Sequence, residues 1–311
     1  RHHQLLEFFS LFLEKLDSMI FICLNTAMNK IYDCFTFYNE LDLLELRLTE
    51  LYDHVNHFVL VEADTTFTSR PKPFYYENNK ARYAQWADKI IHIKVTDMPH
   101  DPDAWVNDIF QRNQIARGIV DAEPNDLIMI CDLDEIVRPE AVEYMRTSDQ
   151  ELFALRMPLF NFKFNYMRFD PNRYDIWGMA GRRYLFDKIK PDSFRQMRFH
   201  FMNTPYQFKN NGSEVVEHAG WHFGYMGDND WLKDKAQSFA HQEINTPEFV
   251  NNIDVEKSIA NKMHWGNFGD ERYTIVAVDD YFPSNIKNYP KFILDNPENS
   301  AYNLLPPYPY Q

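Results

Sequence analysis

Cysteine is scarce in this chain. Cys23, Cys34 and Cys131 are the three it has in 311 residues, odd in number and without metal-like spacing, which argues against a disulfide scaffold and fits a reducing compartment. Positive charge is also short: 32 Lys and Arg against 46 Asp and Glu leave a net charge of −14. With no long basic run, the chain does not read as one that grips nucleic acid through its phosphates. A phosphorylated substrate would need a metal to offset the local acidity. Long apolar runs are missing too. Near the start, Leu5, Leu6, Phe8, Phe9, Leu11, Phe12, Leu13 and Leu16 form an apolar face, but Glu7, Glu14, Lys15 and Asp17 interrupt it, so no transmembrane segment is expected there. Internal repeats and low-complexity linkers are absent from the sequence.

What is present is an ordinary globular composition, 45% hydrophobic and 25% charged, with enough length for one large α/β domain or two small ones. Aromatics reach 16%, and their flat apolar faces with polar edges suit sugar rings as well as a core. Residues 1–27 do not resemble the rest of the chain. They read either as an amphipathic surface helix or as a segment foreign to the domain, with Arg1-His2-His3 left from an added tag. The remainder, 28–311, reads as a single domain.

From Lys30 the pattern is regular. Ile31 to Phe37 predicts a first strand, Asn39 an N-cap, and Leu41, Leu44, Leu48 and Leu51 one face of a helix. Phe58-Val59-Leu60-Val61 predicts a second strand ending at Glu62, Ile90 to Val95 a third, and Ala104 to Val120 a helix. Alternating strands and helices predict an α/β fold with a mainly parallel central sheet flanked by helices, placing Asn39, Glu62 and Asp132 on one rim. Later, Leu152 to Met157 and Phe160 to Phe169 read as longer strands, with Asp170-Pro171-Asn172 as a turn. Asp230 to Gln242, Pro247 to Asn261 and Ile286 to Leu294 read as helices, and the Pro-rich end as a tail. The stretch from Asp175 to Asn211 has no clear period and is expected to carry the variable surface for a second substrate.

The chemistry concentrates after one buried strand. Leu127-Ile128-Met129-Ile130 leads through Cys131 into Asp132-Leu133-Asp134-Glu135, at the carboxyl edge where open α/β sheets bind ligands. Two carboxylates one residue apart suit a hard divalent cation that shares its remaining positions with substrate phosphates. The plain alternative is a strand that has simply reached water. A second cluster, Gly220-Trp221-His222-Phe223-Gly224 followed by Lys235, offers an imidazole that could complete such a site, particularly for Mn²⁺, with His241 in reserve. A structural, hydrogen-bonded histidine is the competing reading. Lys235 offers a point charge for a diphosphate, and Arg112 lies on the helix leading into the acidic strand; either is otherwise a solvated side chain.

Together these residues carry a resemblance. Asn39-Glu40-Leu41-Asp42-Leu43-Leu44 with Arg47, Phe58 to Glu62 with Thr66-Phe67-Thr68, Cys131 to Ile136, and Gly220-Trp221-His222 resemble glycosyltransferase family 17, the family of the β-1,4-mannosyl-glycoprotein β-1,4-N-acetylglucosaminyltransferases. The match runs in order from about Met28 to Asn296. The resemblance implies a GT-A-like nucleotide-sugar-binding fold, a UDP-sugar donor (UDP-N-acetylglucosamine), a glycan acceptor, a divalent metal (Mn²⁺, or Mg²⁺) and inversion at the anomeric carbon. It implies Asp132, Asp134 and His222 at the metal, and Asn39, Glu40 and Glu62 near the nucleotide. Glu135 and Asp228 are the candidates for the carboxylate that takes the acceptor proton. Without a membrane anchor the expectation is a cytoplasmic or otherwise soluble protein, with a Golgi lumen only if an anchor lies outside this chain. Two other classes compete: a haloacid-dehalogenase-type phosphatase using Asp132 as nucleophile, with Asp279-Asp280 as a later acidic pair, and a non-catalytic carbohydrate-binding module.

Overall fold

Ile31–Phe37 forms β1, and its pleat sorts the side chains: Ile31, Phe35 and Phe37 join the core on one face, Tyr32 and Cys34 the core on the other. The computed structural model describes residues 29–169, 175–264, 272–307 and 309. The N-terminal extension and the Asp170-Pro171-Asn172 turn lie outside the described residues. Among those residues no helix is long and apolar enough to cross a membrane.

β2 (His57–Ala63) and β4 (Leu127–Ile130) flank β1, and β3 (Ile90–Val95) lies outside β2, all parallel, as the alternation of the sequence requires. Helix α1 (Leu41–Leu51) buries Leu43, Leu44, Leu46, Leu48 and Leu51 on one face of this half-sheet. Helix α2 (Ala104–Asn113) precedes β4 and passes into a tighter helical turn, Gln114–Gly118. Asn39 does not cap α1. The cap position is Glu40, without a side-chain cap bond, and the Asn39 amide oxygen instead accepts from the Trp231 indole at 3.0 Å.

The chain then leaves the sheet. After β4 the segment Cys131-Asp132-Leu133-Asp134 crosses to β5 (Glu135–Val137), which belongs to a second sheet, and α3 (Pro139–Thr147) comes next. β6 (Leu152–Arg156) returns to the first sheet. The stretch read as one strand from Phe160 to Phe169 is two, β7 (Leu159–Asn161) and β8 (Tyr166–Phe169), because the chain reverses between them with Phe162 at φ 64°. β9 (Ile176–Arg182), unforeseen in the aperiodic region, inserts antiparallel between β4 and β6 near the middle of the large sheet. It passes so close that a Cβ on Gly178 would lie 2.4 Å from the Cys131 sulfur. Helix α4 (Pro191–Gln196), β10 (Lys209–Asn210), β11 (Ser213–Val216), β12 (Gly220–Gly224), helix α5 (Asn229–Ser238) and β13 (Arg272–Ile275) follow, with short helices at Arg198–Phe201 and Ala301–Leu304 and two, Pro247–Asn251 and Val255–Ala260, where the sequence predicts one from Pro247 to Asn261. Ile286 to Leu294 forms two short 3₁₀ turns in place of a helix, divided at Pro290, which has no N–H to donate.

The large sheet runs β10-β11-β6-β9-β4-β1-β2-β3, and the smaller runs β13-β8-β7-β12-β5. Four strand pairs of the large sheet are parallel; β9 on both sides and β10 supply the antiparallel ones. The acidic segment is thus the first of the chain's passages between the two sheets.

Candidate functional site

Arg47 sets the geometry of this crossing. It stands among the leucines of α1, fully buried, and its Nε and Nη2 bind both oxygens of the buried Asp33 at 2.7 and 2.5 Å. Its Nη1 donates to the carbonyls of Asp132, Leu133 and Glu135 at 2.9–3.0 Å. A single guanidinium therefore fixes the backbone on which both aspartates are mounted. A lone arginine in an apolar helix face was the visible signal, although no role followed from it.

Two more arginines hold Asp132. Arg112 of α2 donates to Oδ1 at 3.1 Å and Arg195 of α4 to Oδ2 at 2.7 Å. Burial works against ionisation of Asp132, but Arg195 and Arg112 outweigh it and hold the carboxyl well below the usual range. Arg112 also binds Asp192 at 2.9 Å and pairs with Asp108 at 3.1 Å. Arg195 also reaches Glu135 Oε1 at 2.6 Å, while Glu135 Oε2 accepts from the Asp132 amide at 2.7 Å. Glu135 is thus buried with both oxygens engaged, and burial pushes its pKa up. Arg195 comes from the aperiodic region, where nothing in the sequence announced it.

Asp134 faces a different set of partners. β12 pairs with β5 so that His222 lies opposite Glu135, and the Phe223 amide donates to the Asp134 carbonyl at 2.7 Å. This register brings His222 Nε2 to 3.7 Å from Asp134 Oδ1. Lys235, reaching in from α5, lies 3.9 Å from Asp134 Oδ2 and 3.6 Å from Glu40 Oε1. Burial disfavours the Asp134 carboxylate, yet His222 and Lys235 pull its pKa down overall. The Trp177 ring meets the imidazole edge-on at 4.2 Å, and His222 Nδ1 is buried without a hydrogen-bond partner among the described residues.

The other expected residues separate. Glu40 and Asn39 lie beside the Lys235 helix, through the Glu40–Lys235 approach and the Asn39–Trp231 bond. Glu62 is fully buried and committed to the β2–β3 side, accepting from the Tyr76 amide at 3.0 Å and meeting His92 Nε2 at 3.1 Å. Asp228 is exposed and caps α5, its Oδ1 accepting from the Trp231 amide at 2.9 Å. His241 lies exposed beyond the end of α5, against Glu243.

Among the described residues, no three His, Cys, Asp or Glu side chains come together in a group that could hold a metal ion. The Asp134 carboxylate and His222 Nε2 stand 3.7 Å apart, two donors that could share a cation. Such a set suits a cation that takes few protein ligands and fills its remaining positions with phosphate oxygens. The charge balance points the same way: among the described residues Glu40, Asp108, Asp132, Asp134, Glu135 and Asp192 meet Arg112, Arg195 and Lys235 in the linked network, with His222 as a further basic group when protonated. An anionic ligand entering here would need a cation with it.

Curated relatives include the β-1,4-mannosyl-glycoprotein 4-β-N-acetylglucosaminyltransferases of Rattus norvegicus and Homo sapiens, each 22% identical over 310 residues and 87% of this chain. The chain spans about half the length of these relatives, 53% and 54% respectively. Solved structures with a partial likeness include the galactosyltransferase LgtC in complex with donor and acceptor sugar analogs (TM-score 0.31, 12% identity, 60% of this chain and 73% of that one). Another is the glycosyltransferase GlyE of Streptococcus pneumoniae (TM-score 0.32, 12% identity, 78% of this chain and 58% of that one). The model of glycosyltransferase family 17 matches residues 21–307, nearly the whole sequence, and the chain belongs to that family.

Proposed function

We propose that this chain is a metal-dependent, inverting glycosyltransferase that moves N-acetylglucosamine from a UDP-sugar to a hydroxyl of a glycan acceptor, with residues 28–311 as one catalytic unit. The observation that carries the reading is the meeting of Asp134, His222 and Lys235 at the crossing between the sheets, in a chain matched to family 17 over residues 21–307. Asp134 and His222 would hold the cation, Mn²⁺ in preference to Mg²⁺ because a nitrogen ligand takes part. When bound, such a cation stabilises negative charge on a departing diphosphate. Lys235 stands next to the same carboxylate and adds a fixed positive charge for phosphate oxygens.

In this reading Asp132 is an anchor, because both of its oxygens are already held by Arg112 and Arg195. The two arginines also draw charge from this carboxylate and hold its pKa down, which weakens it as the nucleophile a phosphatase would need. Of the two carboxylates considered for accepting the acceptor proton, Glu135 is occupied at both oxygens, so Asp228 is the stronger candidate. It caps the helix that carries Lys235, and the capping bond uses one oxygen.

Calorimetric titration with UDP, with and without Mn²⁺, tests the reading. Binding is expected only with the cation and is lost in Asp134→Ala and His222→Ala. Metal-independent binding, or binding unaltered in both variants, would sink it. Asp228→Asn should lower kcat by about 10²–10⁴-fold without altering UDP affinity, the asparagine preserving the helix cap.

A further inference from the structure

Helix α2 is turned inside out. It buries Asn107, Asp108, Gln111 and Arg112 and leaves Trp105, Val106 and Ile109 to solvent, with Trp105 and Ile109 each 41% exposed. Each inward polar group has a task. Asn107 donates to the carbonyls of Phe67 and Asp101 at 2.8 Å, Gln111 to that of Val61 at 3.1 Å, and Arg112 to Asp132. The need to tie down the rim accounts for the polar face but leaves the outer apolar face without a purpose in the fold.

That outer face reaches the segment just past α5, the helix that carries Lys235. The Trp105 ring meets His241 edge-on, with centroids 4.6 Å apart at 83°, and His241 in turn lies against Phe239 just past the end of α5. The contact joins the helix whose Arg112 holds Asp132 to the helix whose Lys235 faces Asp134. Seven residues separate Trp105 from Arg112, about 10 Å along a helix axis, a reach that a short glycan spans. Two carboxylates lie nearby: Asp103 caps α2 by accepting from the Trp105 backbone amide, and Glu243 pairs with the His241 ring. Exposed aromatic faces edged by carboxylates match a pyranose, whose C–H faces are apolar and whose hydroxyls donate hydrogen bonds. An exposed face of three apolar residues, broken by these charges, is also unlike the large contiguous patch that marks a protein partner.

We infer that Trp105, backed by His241 and flanked by Ile109, is a stacking platform for a sugar ring of the acceptor, one beyond the ring that receives the transferred residue. This rests on the function proposed above and names the part of the site that grips the acceptor. Trp105 is a specificity residue in this account and takes no part in the chemistry.

The test compares wild type with Trp105→Ala and Trp105→Phe on two acceptors chosen from the mannosyl-glycoprotein in the relatives' names: an N-glycan core containing β-linked mannose, and methyl β-mannoside, too short to reach the platform. Trp105→Ala should raise KM for the N-glycan by up to about tenfold, on the scale of a lost aromatic stacking contact. Trp105→Phe should recover most of the loss, while the constants for methyl β-mannoside and the Kd for UDP with Mn²⁺ stay unchanged. An unaltered KM for the N-glycan, an equal rise for both acceptors, or a parallel loss of UDP binding would overturn the inference. Calorimetric titration of the N-glycan, with UDP and Mn²⁺ present, gives a readout independent of turnover: weaker binding to Trp105→Ala supports the platform, and equal binding, or no binding by wild type, refutes it. Failure of wild type to bind UDP would strike the proposed function and leave that comparison standing. Self-association by sedimentation that disappears in Trp105→Ala, with glycan binding intact, would assign the face to a second copy of the chain.

Discussion

Arg47 carries more of the site than either aspartate it positions. Its donors meet Asp33 and three carbonyls, so replacement by leucine leaves a buried carboxylate without its counter-ion and a turn without its brace. Loss of one partner of a buried pair costs about 3–5 kcal/mol, and Arg47→Leu should show a loss of that order in urea unfolding. Arg47→Lys should recover little of it, because an ammonium cannot span both carboxylate oxygens and the carbonyls together. Lys72 gives a second prediction. Its ammonium nitrogen is buried between the rings of Tyr38 and Tyr75, and burial lowers its pKa to about 8 despite the nearby Glu62, Glu40 and Asp64. Between pH 8 and about 10 the unfolded chain holds this proton more tightly than the folded one, so stability from this group rises with pH across that window. Lys72→Met should remove that rise when its denaturation midpoints are compared with wild type at each pH. At this scale the sequence displayed Asp132, Asp134 and His222 because apolar strands frame them. The sequence could not display which oxygens are free: Arg195 lies 60 residues from Glu135, and only the folded chain brings them together.

The strands and helices whose residues keep one period were legible. β1 and β3 lie at their expected bounds, and α1 covers all four predicted leucines. β9 was hidden because Ile176-Trp-Gly-Met-Ala-Gly-Arg182 contains two glycines and ends on arginine, although both glycines serve close packing in the sheet interior. The β7–β8 reversal was hidden for the opposite reason, since aromatic residues continue through the turn and mask it. The pairing of β12 with β5 is the element on which the His222–Asp134 approach depends, and Gly220 makes it possible. A Cβ there would stand 2.0 Å from the Ile136 carbonyl oxygen and 2.8 Å from the Val137 Cα, both backbone atoms that cannot swing aside. Gly220→Ala should cost about 1–3 kcal/mol, or more if the ladder parts, as expected for overpacking. It should also weaken Mn²⁺-dependent UDP binding although residue 220 is not a proposed ligand. Full UDP affinity in a folded Gly220→Ala protein would show that the register does not control the His222–Asp134 approach.

For the molecule as a whole, composition pointed to an acidic globular chain and the strand–helix alternation to an α/β fold. The division into two sheets was not readable, because β5 and β12 are short and adopt their pairing only across a long stretch of intervening chain. Ligation should register globally. A ligand at about 100 times its Kd adds about 2.7 kcal/mol to the folded state, so UDP with Mn²⁺ should raise the thermal midpoint by several degrees. Either component alone should raise it far less, and Asp134→Ala should abolish the shift in a thermal melt.

The segment from Cys131 to Asp134 leaves one sheet and enters the other. A cation bound to it is mortar in a joint: occupancy would stiffen the seam as well as prepare the reaction. Amide hydrogens of Ile136, Val137 and Trp221, which belong to no proposed ligand, should then exchange with deuterium more slowly once the nucleotide and Mn²⁺ are bound.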